Sequence, residues 1–231
     1  MSTPPTASPE LKARILEAVR ASPSPARGSL LGSLHVVLPA ATVLAGCLYF
    51  AFDGVRHGEG RPPWALSATI AIWVGAALVS LWSVVGPSRS PTGRPRAWLL
   101  SVALGVPALV LLFLIGVSSA AASSAPASLI ATHRAGVRCL LMTLAAAAGP
   151  VLAFLFIRRG SDPLHPVAHG AAIGASFGAY AGIMVCLWCP DLSAPHAAIG
   201  HVFPLVLLAA LGAVVGARVL DLPRERSNRG P

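Results

Sequence analysis

Cysteines and histidines are concentrated around one short polar loop in the second half of the chain. Cys186 and Cys189 form a Cys-x-x-Cys motif, and His196 and His201 follow in the next stretch of sequence. Thiolates and imidazoles at such spacing are the groups that exchange disulfides or bind zinc. These four residues are therefore the first candidates for chemistry.

The position of the Cys-x-x-Cys motif on its helix disfavours disulfide exchange. Reactive pairs of this kind gain their low pKa from a helix N-terminus. Cys186 and Cys189 instead end an apolar run that Pro190 terminates, so the negative end of the helix dipole would disfavour the thiolate. Asp191 adds negative charge, and no Lys or Arg follows in the loop. We therefore expect no enzymatic activity. The alternative is a thiol or quinone-linked oxidoreductase that uses Cys186 and Cys189.

The spacing Cys-x2-Cys-x6-His-x4-His resembles the outline of a structural zinc site. Each histidine also has a simpler role. His201 would hydrogen-bond to a neighbouring helix inside the membrane, and His196 would lie at the interface with water. Because these simpler roles account for both side chains, the sequence predicts no resident metal and no cofactor.

The composition indicates an integral membrane protein. Of the 231 residues, 55% are hydrophobic and 11% are charged, and the mean hydropathy is +0.73. A soluble domain carries about 25% charged residues, so this chain has too few to cover a surface that faces water. Its 17 Lys and Arg occur in small groups between apolar runs, which indicates membrane topology rather than direct nucleic-acid binding.

Six apolar runs are each near the ~20 residues that span a bilayer. They cover residues 30–52, 64–86, 97–118, 136–157, 167–188 and 197–218. Most Lys and Arg fall on the side of the two termini, which the positive-inside rule assigns to the cytoplasm. We predict an all-α polytopic membrane protein with six transmembrane helices and both termini cytoplasmic. Its parts are a cytoplasmic segment, a six-helix domain and a cytoplasmic tail, at residues 1–29, 30–218 and 219–231.

Glycines recur every four residues along the last two runs. They are Gly170, Gly174, Gly178 and Gly182, followed by Gly212 and Gly216. A helix face of small residues lets a neighbouring backbone approach closely, so we predict that these glycines pack helices together. No Asp or Glu falls inside any run, so the spans contain no acidic proton relay or cation site.

All four cysteines fall in the outer half of the predicted bundle or at its outer face. They are Cys47, Cys139, Cys186 and Cys189. An oxidising compartment on that side would let disulfides form. Burial of a small apolar side chain explains any single cysteine equally well, so a structural membrane protein whose cysteines only pack is a further alternative.

A short amphipathic helix is predicted within the N-terminal segment. Ser8-Pro9-Glu10 supplies an N-cap, a first-turn proline and an early acidic residue, and Pro23 follows its end. One face carries Leu11, Ile15, Ala18 and Val19. About three turns are too few for stability in water, so this helix would become ordered against a partner or the bilayer, or would not become ordered at all.

Several features of the second half occur in an order found in one known family. They are Arg138-Cys139-Leu140, Arg158-Arg159-Gly160, the glycine-rich fifth run, Cys189-Pro190-Asp191-Leu192-Ser193, and the stretch from Gly212 to Arg218. This half resembles the six-helix membrane anti-sigma factors, the bacterial negative regulators of extracytoplasmic-function (ECF) sigma factors. Residues 8–27 also look like the cytoplasmic N-terminal segment of such regulators. The chain departs from the family at Gly200-His201, where an aromatic pair is usual.

The resemblance implies a protein of the bacterial inner membrane whose N-terminal segment sequesters an ECF sigma factor. The bilayer would be its other partner. The sigma factor would contact one face of the short helix, at Leu11, Arg14, Ile15, Ala18 and Val19. The resemblance also implies two outward-facing cysteines that respond to oxidants or metals and so release the sigma factor. By position these are Cys139 and Cys189.

Overall fold

All regular secondary structure in the described part of the chain is helical. A computed structural model describes residues 27–51, 62–85, 94–122, 134–159, 164–189 and 193–220, together with Glu10, Glu17 and Asp191. Within them the helices are α1 Arg27–Ala51, α2 Pro63–Val85, α3 Arg96–Ala122, α4 Arg134–Ile157, α5 Pro166–Trp188 and α6 Ala194–Val219. The predicted sigma-factor contacts Leu11, Arg14, Ile15, Ala18 and Val19 lie outside the described residues.

The described helices have the length and apolarity of membrane spans. Helices α2 to α6 are each long and apolar enough to cross a membrane, and α1 contains a shorter apolar stretch, Val36–Leu48. Large apolar side chains point outward from the bundle, since Trp82, Leu104 and Leu112 are 71%, 70% and 69% exposed. Such a surface suits lipid rather than water. The predicted all-helical fold is confirmed in the described residues, and five of the six predicted spans are long and apolar enough to cross a membrane.

Helix α5 is the centre of the bundle. It packs against all five other helices, and 72% of its membrane-spanning window is buried. Its glycines allow this packing, because a Cβ on Gly170 would overlap the backbone carbonyl of Gly212 in α6. Farther along α5, a Cβ on Gly182 would overlap the indole ring of Trp73 in α2. The prediction that these glycines pack helices together is confirmed.

The two ends of the bundle differ chemically. Where α4 and α6 finish and α5 begins, Arg158 Nη1 lies 3.0 Å from His169 Nε2, and Gly216 approaches the carbonyl of Pro166. The opposite end contains the first turns of α4 and α6 and the last turn of α5, and we call it the Cys–His end. Its ligand-type side chains are Cys139, Cys189, His196 and His201.

Candidate metal centre

Four buried side chains meet at the Cys–His end. Cys139 comes from the second turn of α4, Cys189 follows α5 directly, and His196 and His201 come from the first turns of α6. One donor atom from each residue lies within 4.8 Å of the other three. Both cysteines are 1% exposed and both histidines 6% exposed, so these donors are shielded from water.

A close approach of two glycines holds α4 against α6 at this point. A Cβ on Gly200 would lie 3.1 Å from Cys139 Cβ and 3.1 Å from the carbonyl oxygen of Gly136. A Cβ on Gly136 would lie 3.7 Å from His196 Nδ1. A larger residue at position 200 would therefore push α4 outward and separate Cys139 from the histidines.

The two histidines share a face because α6 begins with an irregular turn. In an α-helix, residues five apart point about 140° away from each other. The segment Ala197–Val202 is a π-helix instead, and the Phe203 N–H donates to the Ala198 carbonyl, which is the five-residue spacing of that helix type. His196 and His201 consequently lie on successive turns, with their ring centroids 5.2 Å apart.

Cys189 and His196 are joined directly, and Asp191 supports the histidine from behind. Cys189 Sγ and His196 Nε2 share a hydrogen bond at 2.9 Å. The other ring nitrogen, His196 Nδ1, lies 3.4 Å from Asp191 Oδ2, and the Ser193 N–H donates to Asp191 Oδ1 at 2.7 Å. A carboxylate in this position fixes the ring so that Nε2 faces the cysteines.

His201 is buried and has a ring nitrogen that no other group uses. Its Nδ1 atom has no hydrogen-bond partner among the described residues, although buried polar atoms nearly always have one. The side chain borders a small pocket whose walls include Trp73, Cys186 and Asp191. His201 therefore has one ring nitrogen, Nδ1, that is available to a ligand.

The surroundings of Cys189 favour its thiolate. The Cys139 thiol hydrogen-bonds to Cys189 and, together with His196 and His201, lowers the pKa of Cys189 well below its ordinary value, although burial opposes this shift. The expectation that the thiolate is disfavoured is therefore wrong. It considered only the helix end and Asp191, whereas Cys139, together with His196 and His201, lies against Cys189 and lowers its pKa.

A family comparison covers most of the chain. The family model NrsF, described as negative regulator of sigma F, matches residues 18–221. The chain belongs to this family. The matched region contains the whole of α1 to α6 and thus the complete Cys–His end. No curated protein and no solved structure matches the chain.

Membership in the NrsF family confirms the predicted anti-sigma function in its general form, that of a regulator whose partner is a sigma factor. Of the predicted sigma-factor contacts, Ala18 and Val19 fall within the matched region. Leu11, Arg14 and Ile15 precede it. The comparison therefore supports a sigma-factor partner and leaves the contact surface a prediction.

The structure brings together Cys139 and Cys189, the two cysteines to which the family resemblance assigns a sensor role. It adds His196 and His201, which the sequence had placed in a zinc-like spacing with Cys186 rather than with Cys139. Cys139 was not recognised as a member of this group because it lies fifty positions before Cys189. Only the packing of α4 against α5 and α6 makes them neighbours.

The remaining two cysteines of this NrsF-family protein are not among the four converging donors, although Cys186 lines the small pocket beside His201. Cys186 is buried in a separate apolar cluster with Trp73 and Ala197, and Cys47 is exposed on α1. None of the chain's four cysteines forms a disulfide in this structure. Cys186 and Cys189 therefore differ in surroundings although only two residues separate them.

The cluster has the groups for two kinds of chemistry. Two thiols within 4.8 Å need only a modest shift to reach the geometry of a disulfide. Two sulfurs and two imidazole nitrogens are also the donor set of a tetrahedral zinc site. A disulfide would tie α4 to the end of α5, and a metal ion would tie both to the start of α6.

Proposed function

We propose that this protein is a membrane-bound anti-sigma factor of the six-helix, ECF-specific kind. Residues 1–29 hold the sigma factor away from RNA polymerase, and a redox or metal signal at Cys139 and Cys189 releases it. The observation that carries the proposal is the NrsF family match, because it extends over residues 18–221. Its description names a negative regulator of a sigma factor, and the apolar helices are consistent with a multi-pass membrane protein.

The proposed orientation has both termini in the cytoplasm and the Cys–His end on the outer face of a bacterial inner membrane. The distribution of basic residues supports it. Segments 1–29, 87–96, 158–166 and 218–231 contain most of the 17 Lys and Arg. Such an excess marks the cytoplasmic side. In this orientation the signal site and the partner site lie on opposite sides of the bilayer.

The proposed partner contact is a helix in a groove. Leu11, Ile15 and Val19 recur at four-residue spacing, so a helix would present them as one apolar stripe that a groove can bury. Arg14 lies next to this stripe and would meet the polar rim of the groove. The helix is short, so it would become ordered on binding.

The proposed release depends on helix α5. Cys139 belongs to α4, whereas Cys189 follows α5, so a bond or ion between them changes how α4 sits on its neighbours. Helix α5 packs against every other helix, and a shift at its outer end reaches the whole bundle. Two packing states that differ in affinity for the sigma factor would complete the coupling.

The test is a matched pair of substitutions in the N-terminal helix. Ile15→Glu places a carboxylate in the apolar stripe, whereas Ala13→Glu places one on the opposite face. In cells carrying a reporter of sigma-dependent transcription, we expect Ile15→Glu to raise expression about tenfold or more, the equivalent of ~1.4 kcal/mol of lost binding. Ala13→Glu should leave repression unchanged. Equal repression by both variants at equal membrane levels, or intact repression after deletion of residues 1–29, would contradict the proposal.

A further inference from the structure

We infer that Cys139, Cys189, His196 and His201 form a closed binding site for a divalent metal ion of the zinc type. The four donors are buried, and one atom of each lies within 4.8 Å of the others. In a tetrahedral zinc site the bonds are about 2.3 Å to sulfur and about 2.0 Å to nitrogen, which puts the donors roughly 3.3–3.8 Å apart. Each donor would have to move by roughly 1 Å or less to surround an ion.

The unused nitrogen of His201 is independent evidence for a ligand. This side chain is 6% exposed, and its Nδ1 has no partner among the described residues. Leaving a buried polar atom unsatisfied costs about 1–3 kcal/mol. A metal ion bound through Nδ1 would supply the partner that this atom lacks.

Asp191 has the position of a supporting residue for a metal-binding histidine. Its Oδ2 atom lies 3.4 Å from His196 Nδ1 and has no hydrogen-bond partner within the described part of the chain, and its Oδ1 accepts from the Ser193 N–H. Histidines that bind metals commonly give their second nitrogen to a carboxylate, which orients the ring and strengthens the ligand. The arrangement leaves His196 Nε2 directed at Cys189.

The donor set selects the class of ion. Magnesium and calcium prefer oxygen ligands, whereas two thiolates with two imidazoles suit zinc and related borderline ions. A dication bound by two thiolates and two neutral imidazoles has no net charge, which favours a buried site. All four ligands come from the protein, so no open position remains for hydrolytic chemistry. The site is therefore structural.

A bound ion would fasten three parts of the fold together at the Cys–His end. They are the start of α4, the loop after α5 and the π-helical start of α6. Any part that the ion plays in the release signal rests on the proposed function. Metal binding itself does not.

The test uses Co²⁺ as a spectroscopic substitute for zinc on reduced full-length protein without a histidine tag, purified in detergent. We expect each chain to bind one Co²⁺ ion. The bound ion should give the intense visible bands of a tetrahedral site and a thiolate-to-cobalt charge-transfer band. Added Zn²⁺ should displace the Co²⁺ and abolish these bands. Cys139→Ser and His201→Gln should remove the charge-transfer band or weaken binding at least tenfold. The matched controls Cys186→Ser and His169→Gln should bind as the wild type does.

A milder variant guards against loss of folding. Asp191→Asn keeps an acceptor for Ser193 but removes the charge behind His196, and we expect zinc affinity to fall about 10- to 100-fold. Zinc should raise the thermal midpoint of the wild type but not that of His201→Gln. Absence of the charge-transfer band in the wild type would overturn the site, as would unchanged binding in both Cys139→Ser and His201→Gln. No sigma factor is present in these assays, so their failure would leave the anti-sigma proposal intact.

Discussion

Replacing Gly174 by alanine is expected to destabilise the helix bundle by about 2 kcal/mol or more. The added Cβ would overlap the backbone carbonyl of Leu208 and lie 2.9 Å from Ala209 Cα. Both are main-chain atoms of α6, so the clash is relieved only by moving that helix away from α5. Lipid tails replace lost helix contacts without a hydrophobic penalty, so membrane helices depend on such close packing.

The matched control is Gly105→Ala on α3. A Cβ on Gly105 meets nothing within 4 Å, and the residue is exposed to the outside of the bundle. Since alanine is the better helix former, this change should be neutral or stabilise by up to about 1 kcal/mol. Reversible unfolding in mixed micelles, followed by circular dichroism, measures both variants. Equal effects of the two substitutions would show that α5 and α6 do not pack as described.

Loss of the signal response is the second large effect that we expect. Cells in which Cys139 or Cys189 is changed to serine should keep sigma-dependent transcription low when a thiol oxidant or a thiophilic metal is added. Serine can neither close a disulfide nor serve as a strong zinc ligand. Wild-type cells should respond, and transcript levels of a sigma-dependent gene before and after treatment measure the difference.

The cysteines outside the cluster provide the controls for that experiment. Cys186→Ser removes a buried thiol that lies two residues from Cys189 but belongs to another apolar cluster. Cys47→Ser removes an exposed thiol on α1. Both variants should respond as the wild type does. A normal response in Cys139→Ser and Cys189→Ser, or a lost response in the two controls, would contradict the assignment of the sensor.

The helices could be predicted from the sequence because hydropathy and length alone determine a membrane span. The packing face of α5 was predictable for a related reason. Gly170 and Gly174 recur at four-residue spacing. A helix face without side chains is typical of a close contact with another helix. These features depend on local composition, and the sequence displays them directly.

The candidate metal centre could be predicted only in part, because two of its determinants are not local. Cys139 joins Cys189 through the packing of α4, which no spacing between cysteines reveals. His196 and His201 face the same way only because Ala197–Val202 is π-helical. A regular α-helix would have separated them, and the sequence carries no evident signal for the π-helical turn. Gly200 is the one visible hint, since it lets α4 approach α6.

The most direct test of the anti-sigma account is the amount of sigma factor that copurifies with the full-length protein from membranes. Quantitative mass spectrometry would give the molar ratio of sigma factor to the protein in untreated and oxidant-treated cells, for the wild type, Ile15→Glu and Cys139→Ser. We predict a bound sigma factor in the untreated wild type, release on treatment, no capture by Ile15→Glu and retention by treated Cys139→Ser. A wild type that captures no sigma factor, or an Ile15→Glu variant that captures as much as the wild type, would contradict the account.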